Sequence, residues 1–345
     1  MKIPGRINSI RRRITRGLTA SVGKTKTNYQ NINIQKILIC RPNQRLGNLL
    51  LITPLVQEVI NTFPNCKIDM FVRGGLAPVI FENYENIDKI IQLPKKPFNQ
   101  KFKYVSSWIS LKKKSYDLVI NIYSESSSGR LSTKFTKSKI KFYGDSYAET
   151  DEKPADYIHF AKHPIYNLRH DLSQIGIDTS KNTMPYLDIK LNHSEIEKGK
   201  TIIDSIVKND KKIISIFTFA TGAKCYSKEW WTEFYEKLKI AFPDYNIVEI
   251  LPVENVSQIN FQAHTFYSKD IREIASVIRN TSVFIGADSG MMHLASASQT
   301  PTIGLFEVTY DKKYEPYNDE SISINTNNFD MDYIIKSVEK IISNE

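Results

Sequence analysis

Short apolar runs alternate along the chain with segments whose apolar residues recur at helical spacing. In the first half the runs at 36–40, 67–72, 87–92, 116–122 and 140–143 predict strands, and the segments at 76–84, 105–113 and 159–175 predict helices. The apolar stretch 49–60 contains Pro54. Either a helix starting near Asn48 is kinked there, or a helix begins there with Thr53 as its N-cap. The Ser-, Thr- and Lys-rich segment 124–138 has room for one more short helix, 185–191 reads as extended, and 194–208 as an amphipathic helix. The second half repeats the plan, with strands at 212–217, 245–251, 283–285 and 302–306 and helices at 229–242, 269–279, 291–298 and 330–343. Trp230, Trp231, Phe234 and Leu238 fall on one face of their helix and are expected in a core. Alternation of this kind predicts parallel sheets built of βαβ units. A chain of 345 residues is too long for one compact core. The pattern therefore predicts an arm and linker (1–35), a first α/β domain (36–200), a second (201–325) and a closing helix (326–345).

Charge changes this picture only at the N-terminal end. The net charge is +10, and residues 1–26 carry eight Lys and Arg with no acid, so the rest of the chain is close to neutral. Ile3, Ile7, Ile10, Ile14 and Leu18 recur at helical spacing within that segment. A basic helix with one apolar stripe suits an anionic membrane surface, and a solvated tail is the plainer alternative. A mitochondrial targeting segment would have a similar composition. Nucleic acid suits the arm less well, because no aromatic residue precedes Tyr29. Cys40, Cys66 and Cys225 are odd in number and widely spaced, which matches neither a disulfide framework nor a metal pattern and is expected of a reducing cytoplasm. No apolar run approaches the roughly 20 residues needed to span a bilayer.

Candidate chemistry gathers in 282–306. The strand there is expected to end at Gly286 and Ala287, Asp288-Ser289-Gly290 turns the chain into a short helix, and Thr300-Pro301 stops that helix before the next strand. Turns at the carboxyl end of parallel strands are where ligands bind in open α/β sheets. Ser289 and Gly290 present backbone N–H groups at a helix N-terminus, which favours phosphate. Asp288 is placed to hold a sugar hydroxyl or to cap the helix, and His293 to bond an anionic oxygen or to sit satisfied in the core. The loop 218–228 offers small residues, Thr221, and two cations, Lys224 and Lys228, either suited to neutralising a leaving phosphate. Glu254 follows the next strand and either holds a ribose or is solvated. Neither a P-loop nor a Gly-x-Gly-x-x-Gly fingerprint is present.

Four segments together resemble glycosyltransferase family 9, the heptosyltransferase-like enzymes, over roughly 36–320. They are Arg45-Leu46-Gly47-Asn48 with Thr53-Pro54-Leu55, the strand from Tyr116 to Asn121, Lys228-Glu229-Trp230, and Asp288-Ser289-Gly290-Met291-Met292-His293-Leu294-Ala295 with Thr300-Pro301. The resemblance implies a GT-B fold, with two Rossmann-like domains facing across a cleft. It also implies inverting, metal-independent transfer from a nucleotide sugar, ADP-heptose foremost, to a lipid-linked saccharide, with no cofactor. Carried over by position, Asp288, Ser289, Gly290 and His293 contact the donor, Thr221 and Lys228 the phosphates, and Glu254 the ribose; Lys224 and Met292 are further candidates for holding the substrate. Such an enzyme is expected in the cytoplasm, peripheral at the inner face of the bacterial inner membrane.

This sequence departs from that pattern where it matters for chemistry. The resemblance calls for an Asp general base at position 48, and Asn48 stands there. An amide cannot take up the acceptor proton at neutral pH. Asp69, Glu125 or Asp288 is then expected to replace it, or an anionic group of the acceptor to assist; otherwise the chain binds a nucleotide sugar without efficient turnover. Asn121 likewise replaces an Asp, which implies a less negative first-domain site and a more anionic acceptor. A GT-B transferase using a UDP-sugar is the remaining alternative.

Overall fold

A computed structural model of the chain describes residues 10, 13, 33–96, 99–144, 147 and 153–344. The amphipathic helix expected in 1–26 lies outside the described residues, apart from Ile10 and Arg13, which are helical. The chain divides into two compact units. One comprises residues up to Gln44, Pro54–Tyr157 and Ala161–Pro185, and the other Arg45–Thr53, Ile158–Phe160 and Tyr186–Glu345.

The first unit holds a five-stranded, all-parallel sheet of β1 (Lys36–Arg41), β2 (Lys67–Arg73), β3 (Ile87–Leu93), β4 (Ser115–Asn121) and β5 (Lys137–Phe142), in the order β3-β2-β1-β4-β5. Strands so placed are covered on both faces, which is why β1, β2 and β4 read as near-continuous apolar runs. The chain enters the second unit briefly at α1 (Leu46–Leu50) and returns through α2 (Thr53–Thr62). There are thus two helices, and Pro54 sits in the first turn of the second. Thr53 is not its N-cap: its hydroxyl donates to the Leu50 carbonyl (2.8 Å) and accepts from the Asp188 amide (3.1 Å). Three further helices are α3 (Ala77–Ile80), α4 (Lys101–Lys113) and α5 (Ser127–Phe135). The last, α6 (His163–Ser173), begins four residues later than expected, because a proline at 164 fits the first turn of a helix and clashes with one already running. Glu58, wholly buried on α2, is held bidentately by Arg169 of α6 at 2.8 and 2.9 Å.

The second unit is built on a six-stranded parallel sheet. Its strands are β6 (Ile213–Phe217), β7 (Asn246–Ile250), β8 (His264–Phe266), β9 (Val283–Ala287), β10 (Thr302–Phe306) and β11 (Ile322–Asn325), in the order β11-β10-β9-β6-β7-β8. Gly286 and Ala287 continue β9 instead of ending it, paired with Gly304 and Leu305. Around the sheet lie α7 (His193–Val207), α8 (Lys228–Ala241), α9 (Ile271–Arg279), α10 (Gly290–Ala297), α11 (Asp311–Tyr314) and α12 (Met331–Ile342). The expected domain limit at residue 200 falls inside α7, which packs on α9. At the crossing, a Cβ on Gly199 would lie 2.3 Å from the Ser276 carbonyl oxygen. Trp231, Phe234 and Leu238 of α8 are buried in the core, and Trp230 packs against it half-buried. Among the described residues no helix is long and apolar enough to cross a membrane.

Candidate functional site

In the second sheet the chain leaves β6 toward β7 on one side, and β9 lies on the other. The strand order therefore reverses between β6 and β9, and crevices of open α/β sheets form at that point, outside the carboxyl ends. Two loops leave the sheet there. The loop after β6 carries one turn of 3-10 helix, Gly222–Lys224, and the turn after β9 carries Asp288 and Ser289. The two meet: Lys224 Nζ donates to Asp288 Oδ2. The carboxylate is almost fully buried and the ammonium partly exposed. Lys224 Nζ also lies 5.8 Å from the centre of the Tyr314 ring, which stacks on Phe160.

Asp288 is not a helix cap. Ser289 caps α10, its Oγ accepting from the Met292 amide at 3.3 Å. The Asp288 carboxylate is thereby left to Lys224, while its amide donates to Leu305 (3.0 Å) and ties the turn to β10. His293 is buried in α10. Burial pushes its pKa down to about 4, the Asp288 charge opposing and His159 and Lys224 adding to the drop. The imidazole is therefore neutral at neutral pH. Its Nδ1 finds no hydrogen-bond partner among the described residues, an uncommon state for a buried nitrogen. Gly47 of α1 covers this ring so closely that a Cβ there would lie 2.7 Å from His293 Cδ2. The Arg-Leu-Gly-Asn segment and the Asp-Ser-Gly-x-x-His segment, far apart in sequence, thus pack together within one unit.

The other expected residues fall in different places. Asn48 is half-buried on α1 and makes no side-chain hydrogen bond to a described residue. Met292 is wholly buried, with its sulfur near Gly304 on β10. Thr221 is exposed at the start of the 3-10 turn. Lys228 opens α8 and reaches Asn260 Oδ1 at 3.5 Å. Glu254 is exposed in the loop between β7 and β8.

Asp69 does not suit the role of replacement base. It sits near the amino end of β2, and its carboxylate is held by Lys114 and the Tyr116 hydroxyl, both at 2.6 Å. Glu125 lies just beyond the carboxyl end of β4, the edge at which open α/β sheets bind ligands, and takes part in an interaction of its own. Asn121 has a structural reason to be an amide. Its Nδ2 donates to the Tyr123 (3.0 Å) and Tyr143 (2.8 Å) carbonyls, joining the ends of β4 and β5. A carboxylate has no proton to give to two carbonyl oxygens, so the amide has a structural role of its own.

One group escaped the sequence reading. Glu249, fully buried in β7, accepts from Thr218 Oγ1 (2.5 Å) and Ser257 Oγ (2.7 Å), and Thr218 Oγ1 in turn accepts from the Gln258 amide (3.1 Å). Burial raises the Glu249 pKa. The cluster anchors the root of the loop that carries Lys224. Its one signal in the sequence is a lone acid inside the apolar run 246–251. Among the described residues no group of three or more His, Cys, Asp or Glu is arranged to hold a metal ion.

The profile of Glycosyltransferase family 9 (heptosyltransferase) matches residues 105–333. Lipopolysaccharide heptosyltransferase 3 of Escherichia coli (strain K12) is 24% identical, over 82% of this chain and 86% of that protein. Among solved structures, a glycosyl transferase family 9 protein from Veillonella parvula DSM 2008 superposes with a TM-score of 0.73 at 16% identity, covering 92% of this chain and all of that one. E. coli heptosyltransferase WaaC with ADP gives 0.68 at 14% identity, covering 89% of this chain and all of that one. The two parallel-sheet units and these neighbours make the fold GT-B. Glycosyltransferase family 9 is the family to which this chain belongs, and the protein is a glycosyltransferase.

Proposed function

We propose that this glycosyltransferase moves a heptose from ADP-heptose to a lipopolysaccharide or related surface-glycan acceptor, with inversion and without a metal ion. The observation that carries the reading is the Lys224–Asp288 ion pair at the switch point of the second sheet, beside the N-terminus of α10. Leaving ADP gains negative charge as the glycosidic bond breaks. A cation held in place by a buried carboxylate, with helix N–H groups beside it, is suited to stabilise that charge. The neutral His293, with a free ring nitrogen, adds a hydrogen-bonding group to the same turn. Donor and acceptor are drawn from relatives: the structures of WaaC with ADP and with ADP-2-deoxy-2-fluoro heptose, and the lipopolysaccharide heptosyltransferase 3 proteins. Asp288, paired with Lys224, is not free to take the acceptor proton. Glu125 or an anionic group of the acceptor takes that part.

The test is incubation of the purified protein with ADP-heptose, a panel of other nucleotide sugars including UDP-sugars, and lipid-linked acceptors, with and without chelator. The expected result is ADP release and a product of inverted anomeric configuration, unaffected by chelation. Absence of both transfer and donor hydrolysis with every pair would sink the reading. Asn48 favours one second reading, a nucleotide-sugar-binding protein without turnover. Tight donor binding without product, unchanged in Asn48→Ala, is its signature; a large rate increase in Asn48→Asp is the signature of weakened family chemistry. We further propose that residues 1–26 dock the enzyme, as a cytoplasmic protein, on the inner face of the inner membrane, and that the first unit serves the acceptor and the second the donor.

A further inference from the structure

Helix α4 carries apolar residues on both faces. Its inner face packs on the first sheet: Leu111 and Ser107 are buried, and Trp108 meets Phe71 edge-on at 5.3 Å. The outer face should then be polar. Instead its centre is apolar, with Phe102 93% exposed, Val105 53% and Ile109 47%. These three positions, spaced three and four apart, form one outward stripe. Phe135, at the end of neighbouring α5, extends it, 50% exposed, with Lys112 Nζ 5.7 Å from its ring centre.

The stripe is bordered by charge of one sign. Lys101 and Lys112 flank it on one side and Lys103 and Lys113 on the other; all four are exposed, and none pairs with a described acid. Between Asp88 and Asp117 the chain has eight lysines and no acid. A contiguous exposed apolar stripe marks an interaction surface, and the lysine rim selects the partner. A protein partner would need a matching acidic groove, whereas an anionic bilayer offers an apolar interior beneath a negative surface, which fits both parts of the face at once. We propose that the outer face of α4, with Phe135, is a membrane-docking surface of this enzyme for anionic lipid, separate from the N-terminal arm. The proposal concerns where the first unit rests and does not depend on which donor or acceptor the enzyme uses.

The test is flotation of the full-length protein with vesicles of phosphatidylcholine, alone or with about one-third phosphatidylglycerol. Two variants are compared with the wild type: Phe102→Ser with Val105→Ser and Ile109→Ser, and Lys101→Glu with Lys103→Glu, Lys112→Glu and Lys113→Glu. All seven positions are exposed, so thermal melting should be unchanged; the second set keeps the apolar stripe, so a folding defect in the first leaves the question decidable. The expected result is wild-type binding to the anionic vesicles only, weakened roughly tenfold or more in each variant. Wild-type affinity in the charge-reversed protein would overturn the proposal and leave the arm as the sole anchor. Loss of binding to a single-stranded RNA probe in the variants, with vesicle binding intact, would also overturn it and assign the face to nucleic acid.

Discussion

Lys224 and Asp288 are 64 positions apart in the chain, yet they form an ion pair at the site. Removing either leaves the other partly desolvated and, on the proposed reading, misaligned for a leaving phosphate. Lys224→Met and Asp288→Asn are each expected to lower kcat/KM by roughly 100-fold, measured as ADP release with the best donor–acceptor pair. His293 makes a prediction about stability. Its folded pKa, about 4, lies below the ordinary histidine value of 6.5. Between those values the unfolded chain binds a proton that the folded chain does not, so the stabilisation is complete above pH 6.5 and fades as pH falls toward 4. The contribution to the slope is at most about 1.4 kcal/mol per pH unit. Urea unfolding of the wild type and of His293→Gln between pH 4 and 7 should show a shallower pH dependence in the variant; identical slopes would refute it. Asp288 and His293 were legible as candidates from their types and turn. Their division of labour was not, because capping by Ser289 is a matter of side-chain geometry.

At the scale of elements, hydrophobic period located most strands and helices of both sheets. It missed β8, β11 and α11, of three or four residues each, which are too short to show a period. It overextended the helix at 76–84, of which only Ala77–Ile80 is helical. Contacts between elements lay beyond it altogether. The α7–α9 crossing depends on Gly199, where an added Cβ would meet the backbone of Ser276 and not a side chain able to rotate away. Gly199→Ala gains helix propensity, yet forces the helices apart. A net loss of about 1–3 kcal/mol is expected from urea denaturation at constant m-value. An unchanged or raised midpoint would show that the crossing adjusts.

For the whole molecule, the arm and α4 give two basic, apolar features of different kinds, one read from sequence and one from structure. Deleting residues 1–26 removes eight of the ten net charges. This truncation should weaken binding to anionic vesicles and leave donor binding intact in equilibrium titration. Residual binding that disappears on adding the four α4 Lys→Glu changes would assign the remainder to α4. Complete loss from the truncation alone would leave no role for that helix.

The sequence by itself determined the α/β class, the doubling of the plan and the chemical character of the 282–306 turn, because strand and helix periods and turn residues act locally. It also displayed the substitution at Asn48, since residue identity needs no structure. Tertiary structure decided which groups meet. The crossover order of the strands, set by how helices cover a twisted sheet, brings the loops after β6 and β9 side by side and so pairs Lys224 with Asp288. It grouped Arg45–Thr53 with the second unit and laid Gly47 on His293. It used Asn121 as a bridge between strand ends where sequence suggested a change in acceptor charge. It also turned Phe102, Val105 and Ile109 outward, which an apolar residue's type alone would not foretell, because the inner face of α4 was already filled by Trp108 and Leu111.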